Sequence, residues 1–220
     1  NYGRYIIIEH REEGLRYNSL YAHLASIDAA TDAGNPAQVG QKIGIMGHSA
    51  SNGLPLERAH LHLEFNMQLT NNFQTWYDAQ KFGQRNRHGN YNGFNFIGWD
   101  PLHFYESYRR GEVTSVASYI RNQPTAVIAI VKTTQTPWFI KNNPALLSSP
   151  IPETGLTGWQ IEFTEIGLPK LWTPLTDTLT RSLTLRDGAN PQVSCRKLKS
   201  GSTPGRSLKA ILEMLFGKKF

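Results

Sequence analysis

The stretch Ala59-His60-Leu61-His62-Leu63-Glu64-Phe65 alternates polar with apolar side chains. Such alternation is typical of a half-buried β-strand, in which residues two apart point to the same face of the sheet. His60 and His62 are therefore predicted to project together. Leu61 and Leu63 are predicted to pack on the opposite side. One imidazole can bind a metal while the other holds a water or an oxyanion; alternatively both bind the metal, or both are exposed polar residues of an edge strand.

Three segments upstream have the same short-strand character. β-Branched, aromatic and alternating residues favour a strand at Tyr5 to His10. They also favour one at Leu61 to Phe65 in the histidine stretch, and glycine-rich turns separate the two. In chain order the segments are Tyr5-Ile6-Ile7-Ile8-Glu9-His10, Ser19-Leu20-Tyr21-Ala22-His23-Leu24 and Val39-Gly40-Gln41-Lys42-Ile43-Gly44-Ile45-Met46-Gly47. Together with the histidine stretch, this series resembles the C-terminal half of the LytM/lysostaphin-type zinc metallopeptidases, which are peptidoglycan endopeptidases. The resemblance covers about residues 1–65, and Gly98-Trp99-Asp100-Pro101-Leu102 resembles the stretch that closes the domain in that family.

The resemblance implies an antiparallel-sheet domain that hydrolyses a peptide bond of peptidoglycan with the help of zinc. It places His62 where the family has its last zinc ligand. It places His60, and His23 in Tyr-Ala-His-Leu, where the family has two catalytic histidines. Zinc would polarise the scissile carbonyl, while the catalytic histidines would orient or deprotonate the attacking water and stabilise the oxyanion.

The remaining histidines are expected to be structural. His10 lies where the family often has a histidine without assigned chemistry, so it is expected to fill the core or its rim. His48, His88 and His103 have no motif support and are expected in loops or at the surface. Glu64 either fixes the tautomer of a neighbouring histidine or, as is commoner for strand glutamates, faces solvent.

The resemblance also implies zinc ligands that the 220 residues do not contain. The family's first two ligands come from a His-x-x-x-Asp motif upstream of the strand with which this sequence begins, and no His-x-x-x-Asp occurs here. The chain is therefore expected to be the C-terminal portion of the domain, without the N-terminal strands, and to hold zinc weakly by itself because catalytic zinc uses three protein ligands. The loop Gly47 to Arg58 is longer than the family's turn, and Ala59 replaces the expected proline.

Sequence patterning divides the chain into two predicted domains. Residues 1–114 are assigned to the metallopeptidase-like domain, interrupted at about 67–97 by a polar, aromatic stretch that predicts a long loop or insertion. Its aromatic side chains either line a glycan-binding groove or fold the insertion back onto the sheet. A short helix through Tyr105 to Arg110 is expected to follow Asp100-Pro101-Leu102.

Residues 115–220 are predicted to form a small, basic, β-rich accessory domain. Strands are expected at Thr125 to Val131, Gly158 to Phe163 and Ser182 to Leu185, and the intervening prolines and glycines disfavour helices there. The tryptophans of this half, with Phe139, are expected in the core. A C-terminal helix is predicted from one apolar face with helical spacing, made by Leu208, Ile211, Leu212, Leu215 and Phe216.

Charge separates the two halves more clearly than the net value of +6 does. Residues 1–112 hold 10 Lys and Arg against 11 Asp and Glu, whereas residues 113–220 hold 13 against 6. The basic half is either a solvated surface or a contact for a polyanion. With the resemblance, the expected partners are peptidoglycan and an anionic cell-wall polymer, and no nucleic acid.

Composition excludes several other classes of protein. The single cysteine, Cys195, leaves no internal disulfide framework and no multi-cysteine zinc site. The longest aliphatic run, Ala126 to Val131, is far shorter than the roughly 20 residues of a membrane-spanning helix. With the resemblance, the expected location is extracytoplasmic and bacterial: periplasmic, wall-associated or secreted.

Two alternatives to an active peptidase stay open. One is a degenerate LytM-like domain that binds cell wall or regulates another hydrolase, for which an incomplete ligand set would not matter. The other is a phosphocarrier domain of the sugar transport system, which resembles this fold and also pairs two histidines. The combination of Tyr-Ala-His-Leu with His-Leu-His disfavours the phosphocarrier.

Overall fold

The computed structural model of the chain describes residues 2–31, 34–190 and 192–220. Within these residues the protein has twelve β-strands and five α-helices, so the predicted mainly β, antiparallel fold with a C-terminal helix is confirmed. The strands are β1 (Ile6–Glu12), β2 (Leu15–Ala22), β3 (Leu24–Ile27), β4 (Gly44–Met46), β5 (His62–Gln68), β6 (Phe96–Trp99), β7 (Val127–Lys132), β8 (Gly158–Phe163), β9 (Pro169–Leu175), β10 (Leu183–Asp187), β11 (Lys199–Ser200) and β12 (Thr203–Pro204). The helices are α1 (Phe73–Gln80), α2 (Pro101–Arg109), α3 (Val116–Asn122), α4 (Trp138–Asn142) and α5 (Arg206–Phe216).

The chain forms two compact units. Strands β1, β2, β5 and β6 supply residues to both, so no single linker separates the units. The predicted domain division between residues 114 and 115 stays a prediction. The first unit is Asn1–His10, Tyr17–Asn66 and Gly98–Pro101; the second is Arg11–Arg16, Met67–Ile97 and Leu102–Phe220.

The histidine stretch belongs to a four-stranded sheet with the order β1-β2-β5-β6. Glu13 and Gly14 join β1 to β2 with φ angles of +47° and +80°, the two positive values that suit a tight two-residue hairpin. Strand β2 then pairs antiparallel with β5, and this register sets Ala22 opposite His62. The turn and the register together fix which residues end up beside the histidine stretch.

Aromatic side chains of the predicted insertion divide between two places. Trp99 belongs to the sheet, where its ring centroid lies 5.9 Å from Tyr17 and 5.8 Å from Phe65. Other rings form a separate cluster, in which Phe82 and Phe94 stack at 5.5 Å. The cluster also contains Phe73, Trp76 and Tyr77.

Of the two alternatives for residues 67–97, the long loop is wrong, because helix α1 occupies Phe73–Gln80, and the insertion stays a prediction. Phe73 and Tyr77 stand four residues apart and are both buried, which is a helical period too short to register in a sequence window. Hydrogen bonds of asparagine side chains, rather than a long apolar period, hold much of residues 67–97 in place. Asn95 is fully buried, and its amide group donates to the carbonyls of Thr70 and Asn90 and accepts from the Thr70 N–H.

The second unit contains a four-stranded antiparallel sheet with the order β10-β7-β8-β9. Alternate residues of β7 and β8 are buried, as the sequence alternation predicts. The sequence analysis missed β9, which contains Pro169 and Pro174. Its place at an edge explains how it tolerates them, since proline cannot donate to a neighbouring strand. The facing buried pairs are Val127 with Phe163, Ala129 with Ile161 and Val131 with Trp159.

In the second half, the predicted C-terminal helix is confirmed, whereas the expectation of no helix between the strands is wrong. Helix α5 buries the face expected from its spacing, apart from half-buried Phe216. Prolines and glycines were expected to disfavour helices between the strands, and α4, which lies between β7 and β8, contradicts that expectation. The sequence analysis also missed α3, which precedes β7. Helix α3 begins with a capping box, in which the Ser115 and Ser118 side chains each bond the other's backbone. Among the described residues, no helix has both the length and the apolar character needed to cross a bilayer.

Trp172 lies at the centre of the second unit's core and is fully buried. Its ring stacks on Phe139 at 5.7 Å, meets Trp159 edge-on at 5.7 Å and reaches Phe216 of α5 at 6.0 Å. The expectation that Phe139, Trp159 and Trp172 are core residues is confirmed, whereas Trp138 is only half-buried. Trp172 of β9 therefore connects the sheet to α4 and α5.

Replacing Trp172 with Ala should lower the free energy of unfolding by about 3–5 kcal/mol, because the truncation leaves a cavity that three rings cannot fill. Urea unfolding followed by circular dichroism measures the loss. Ile166→Ala is the matched control, since Ile166 is 52% exposed and should change stability by less than about 1 kcal/mol. Equal effects of the two substitutions would contradict this account of the core.

Candidate functional site

His23 stands at the junction between β2 and β3, directly after the residue that pairs with His62. Its φ angle is +62°, a left-handed conformation that is uncommon for a residue with a Cβ and costs on the order of 1 kcal/mol. The His23 N–H donates to the Tyr2 carbonyl at 3.0 Å, and the Leu24 N–H donates to the Arg4 carbonyl at 3.0 Å. These two bonds hold the chain where it leaves the sheet.

His60 lies on the segment that leads into β5 rather than on the strand itself. The expected strand from Leu61 to Phe65 begins one residue later, at His62, and Leu61 is 42% exposed instead of packed. A short 3-10 turn at Leu56–Arg58 precedes the segment, and the His60 N–H donates to the Gly47 carbonyl at 3.2 Å. This local backbone, not strand alternation, brings the His60 ring beside His62.

His23, His60 and His62 form one cluster. Their ring centroids are 4.7 Å apart for His23 and His60, 4.8 Å for His23 and His62, and 5.2 Å for His60 and His62. One nitrogen from each ring lies within 4.8 Å of the others. Over residues 2–31, 34–190 and 192–220, this is the group of three or more His, Cys, Asp or Glu side chains arranged closely enough to hold a metal ion. His23 is buried, while His60 and His62 reach solvent.

Backbone carbonyls fix the tautomer of two of the three rings. His23 Nδ1 lies 2.7 Å from the Ser49 carbonyl oxygen, and His60 Nδ1 lies 2.8 Å from the Arg58 carbonyl oxygen. A carbonyl can only accept a hydrogen bond, so both Nδ1 atoms carry the proton. Each neutral ring therefore keeps a lone pair on Nε2, the form in which imidazole binds a metal or accepts a proton.

Glu64 and Tyr2 support the third ring. The Tyr2 hydroxyl donates to Glu64 Oε1 at 2.6 Å, and the same carboxylate oxygen lies 3.6 Å from His62 Nδ1. The Tyr2 ring meets the His62 ring edge-on at 5.8 Å. Burial, the hydrogen bond to Glu64 and its negative charge together raise the pKa of Tyr2 to about 12. Of the two alternatives for Glu64, the structure favours the one in which it faces a site histidine.

The other four histidines lie outside this cluster. His10 is half-buried, with its ring stacked on Tyr17 at 4.8 Å and its Nε2 2.7 Å from Ser19 Oγ. His48, His88 and His103 are exposed, as expected. None of these four histidines belongs to the group of described side chains that could hold a metal ion.

Sequence analysis found the three rings and offered Glu64 as an orienting group, but it missed the other groups that orient the rings. Ser49 and Arg58 act through backbone oxygens, which no side-chain pattern reveals. Tyr2 lies 62 positions from Glu64, and no spacing rule connects them. One signal was available at Gly3, whose φ is +59° and where a Cβ would collide with the Ser49 carbonyl.

Replacing Glu64 with Gln should lower the pKa of Tyr2 yet leave it above the ordinary value of 10, because burial is the largest cause of the shift and remains in the variant. In the wild type, the folded state keeps its Tyr2 proton longer than the unfolded chain does. Stability contributed by this phenol is therefore fully present below pH 10 and falls as the pH rises toward 12. Titration of ¹³C-labelled tyrosines by NMR in EDTA measures the pKa, with Tyr2→Phe assigning the signal. An unchanged pKa in the Gln variant would contradict the Tyr2–Glu64 bond.

Comparison with known proteins agrees with the cluster. No curated protein and no solved structure matches the chain. Residues 1–74 match the model of peptidase family M23, a segment that contains all three clustered histidines. The LytM-type resemblance of this part of the chain is confirmed, and it marks residues 1–74 as peptidase-family sequence.

Proposed function

We propose that the cluster of His23, His60 and His62 is the histidine part of a zinc-dependent endopeptidase site that hydrolyses peptide bonds in peptidoglycan. The observation that carries this proposal is the convergence of three imidazole nitrogens, one from each ring, within 4.8 Å of one another inside the segment that matches family M23. Peptidoglycan as substrate and an extracytoplasmic, bacterial location follow from the family and are part of the same proposal.

The donor chemistry of the cluster fits zinc. Zinc takes imidazole nitrogen readily, and catalytic zinc sites combine three protein ligands with one open position. His62 is the proposed ligand, with Glu64 near its Nδ1 as the carboxylate that orients the ring. Bound zinc would polarise the scissile carbonyl and activate water.

His23 and His60 are the proposed acid–base pair. Each ring directs its Nδ1 proton to a backbone carbonyl and leaves Nε2 free. An Nε2 lone pair can take a proton from water, and the resulting imidazolium can stabilise the oxyanion and later protonate the leaving amine. His23 is buried and His60 is open to solvent, so one ring is held rigidly while the other can meet a substrate.

A non-catalytic LytM-like domain that binds cell wall is the second candidate. The observation that favours it is the donor set, because the cluster is made of three histidines and contains no carboxylate. The same three histidines would then position a ligand without activating water. Metal affinity and turnover separate the candidates.

In a protein that also carries the upstream His-x-x-x-Asp segment, replacing His62 with Ala should weaken zinc binding by more than about 100-fold, because losing even a residue that only hydrogen-bonds a ligand costs about 10–100-fold. His60→Ala and His23→Asn should leave the affinity within about threefold; Asn is chosen at position 23 because it tolerates a positive φ. Competition with a chromophoric chelator measures the affinity. His48→Ala is the control outside the cluster. If all three cluster variants weaken binding equally, the three histidines are all ligands and the division of roles is wrong.

The same variants separate binding from catalysis. His60→Ala should lower kcat/KM for release of peptides from purified peptidoglycan by about 10²–10⁴-fold, the usual loss for a positioned acid–base group. His48→Ala should leave the rate unchanged. A protein that carries the upstream His-x-x-x-Asp segment and binds peptidoglycan in saturating zinc, but cleaves nothing, would exclude the peptidase and establish the second candidate.

A further inference from the structure

A cleft of about 990 Å³ lies among α1, α4 and α5, entirely within the second unit. Its lining combines the aromatic side chains of Trp76, Phe82, Phe94 and Trp138 with basic residues of α5 and of the segment that follows it. Neutral amide and hydroxyl side chains also line the cleft, among them Gln80, Gln135, Thr136 and Ser207. The combination of rings, cations and neutral hydrogen-bonding groups is the chemistry of a ligand site rather than of a core.

Two of the aromatic side chains that line the cleft are partly exposed to solvent. Phe82 and Phe94 stack face to face, with centroids 5.5 Å apart and planes 11° apart, and they are 39% and 60% exposed. Trp76 lies 6.1 Å from Phe82, and its indole N–H donates to Glu213 at 3.2 Å, which fixes the ring. The result is a rigid apolar platform open to solvent.

The basic residues carry charge that the described residues do not neutralise. Arg206, Lys209 and Lys219 are exposed lining residues, and none forms an ion pair within the described part of the chain. Glu213 is the one acidic residue among those lining the cleft, and it already accepts the Trp76 bond. The cleft is therefore complementary to an anionic ligand.

We propose that this cleft binds a carboxylated glycan, a chain of pyranose rings that bear carboxylate groups. The apolar face of a sugar ring would lie on the Phe82–Phe94 platform, and its carboxylates would meet the cations of α5. Neutral amides and hydroxyls would bond the sugar hydroxyls. A single-stranded nucleic acid fits less well, since it needs cations along its whole path, and here all of those lining the cleft belong to α5 and the residues that follow it. The proposal is independent of the peptidase site, because no clustered histidine contributes to the cleft.

The test measures binding of a hexamer of galacturonic acid to the full chain. Trp76 and Trp138 line the cleft, so their fluorescence reports occupancy, and calorimetry gives the affinity. Binding should weaken as sodium chloride rises to 0.5 M, because salt screens exposed charges. The neutral hexamer of N-acetylglucosamine should bind more weakly and show little dependence on salt.

Two variants place the ligand in the cleft. Phe94→Ala should weaken binding about three- to tenfold through lost stacking, with Tyr108→Ala as the control because Tyr108 is 54% exposed outside the cleft. The double variant Arg206→Gln, Lys209→Gln should weaken binding about tenfold and flatten its salt dependence, with the exposed Lys197→Gln as its control. Affinity that is unchanged in both cleft variants would overturn the proposal, as would no binding at millimolar hexamer. Tighter binding of oligo-dT would make the cleft a nucleic-acid groove instead.

Discussion

The antiparallel pairing of β2 with β5 is the constraint from which the site follows. It puts Ala22 opposite His62, so the next residue, His23, reaches the β5 histidine as soon as the chain leaves the sheet. A continued strand would point the His23 side chain to the face of the sheet opposite that of Ala22 and His62, and the left-handed φ of +62° avoids this. Non-glycine residues with such backbone angles persist only where surrounding bonds over-determine them, and here the Tyr2 and Arg4 carbonyls supply those bonds. Local strain at one residue thus converts a strand register into a three-ring cluster.

The main chain orients two of the three rings, whereas the third, His62, is supported by the side chains of Glu64 and Tyr2. Carbonyl groups of Ser49 and Arg58 each fix one ring, so almost any side chain at those positions could support the same tautomers. That explains why the sequence predicted the three histidines and not their setting. The histidines are chemical identities that a motif records, whereas a carbonyl belongs to every residue. Only Gly3, which must have no Cβ to let the Ser49 carbonyl approach, left a trace in the sequence.

Secondary structure was predicted correctly where the hydrophobic period extends over several turns or a whole strand. The prediction failed where tertiary contacts determine the secondary structure. Helix α5 repeats its apolar face over three turns and was predicted from that alone. Helix α1 has two buried residues in eight, and the loops beside it are ordered by asparagine amides that bond the backbone. Strand β9 contains two prolines, which read as breakers until the edge position is known. The second sheet's hydrophobic alternation was visible because its buried face is continuous.

The net charge of the basic half overstates the positive charge available to a binding partner, because several of its cations already bond other residues of the chain. Lys199 pairs with Asp187 at 2.8 Å, and Lys218 donates to the Lys132 carbonyl at 2.9 Å. Desolvation lowers the pKa of Lys218, which further reduces the charge it offers at high pH. A polyanion responds to the cations that stay exposed and unpaired at one place, since charges farther apart than about 8 Å are screened at physiological salt. Clustering beside an aromatic platform, rather than the sum over the domain, is what makes α5 the basic surface suited to recognition.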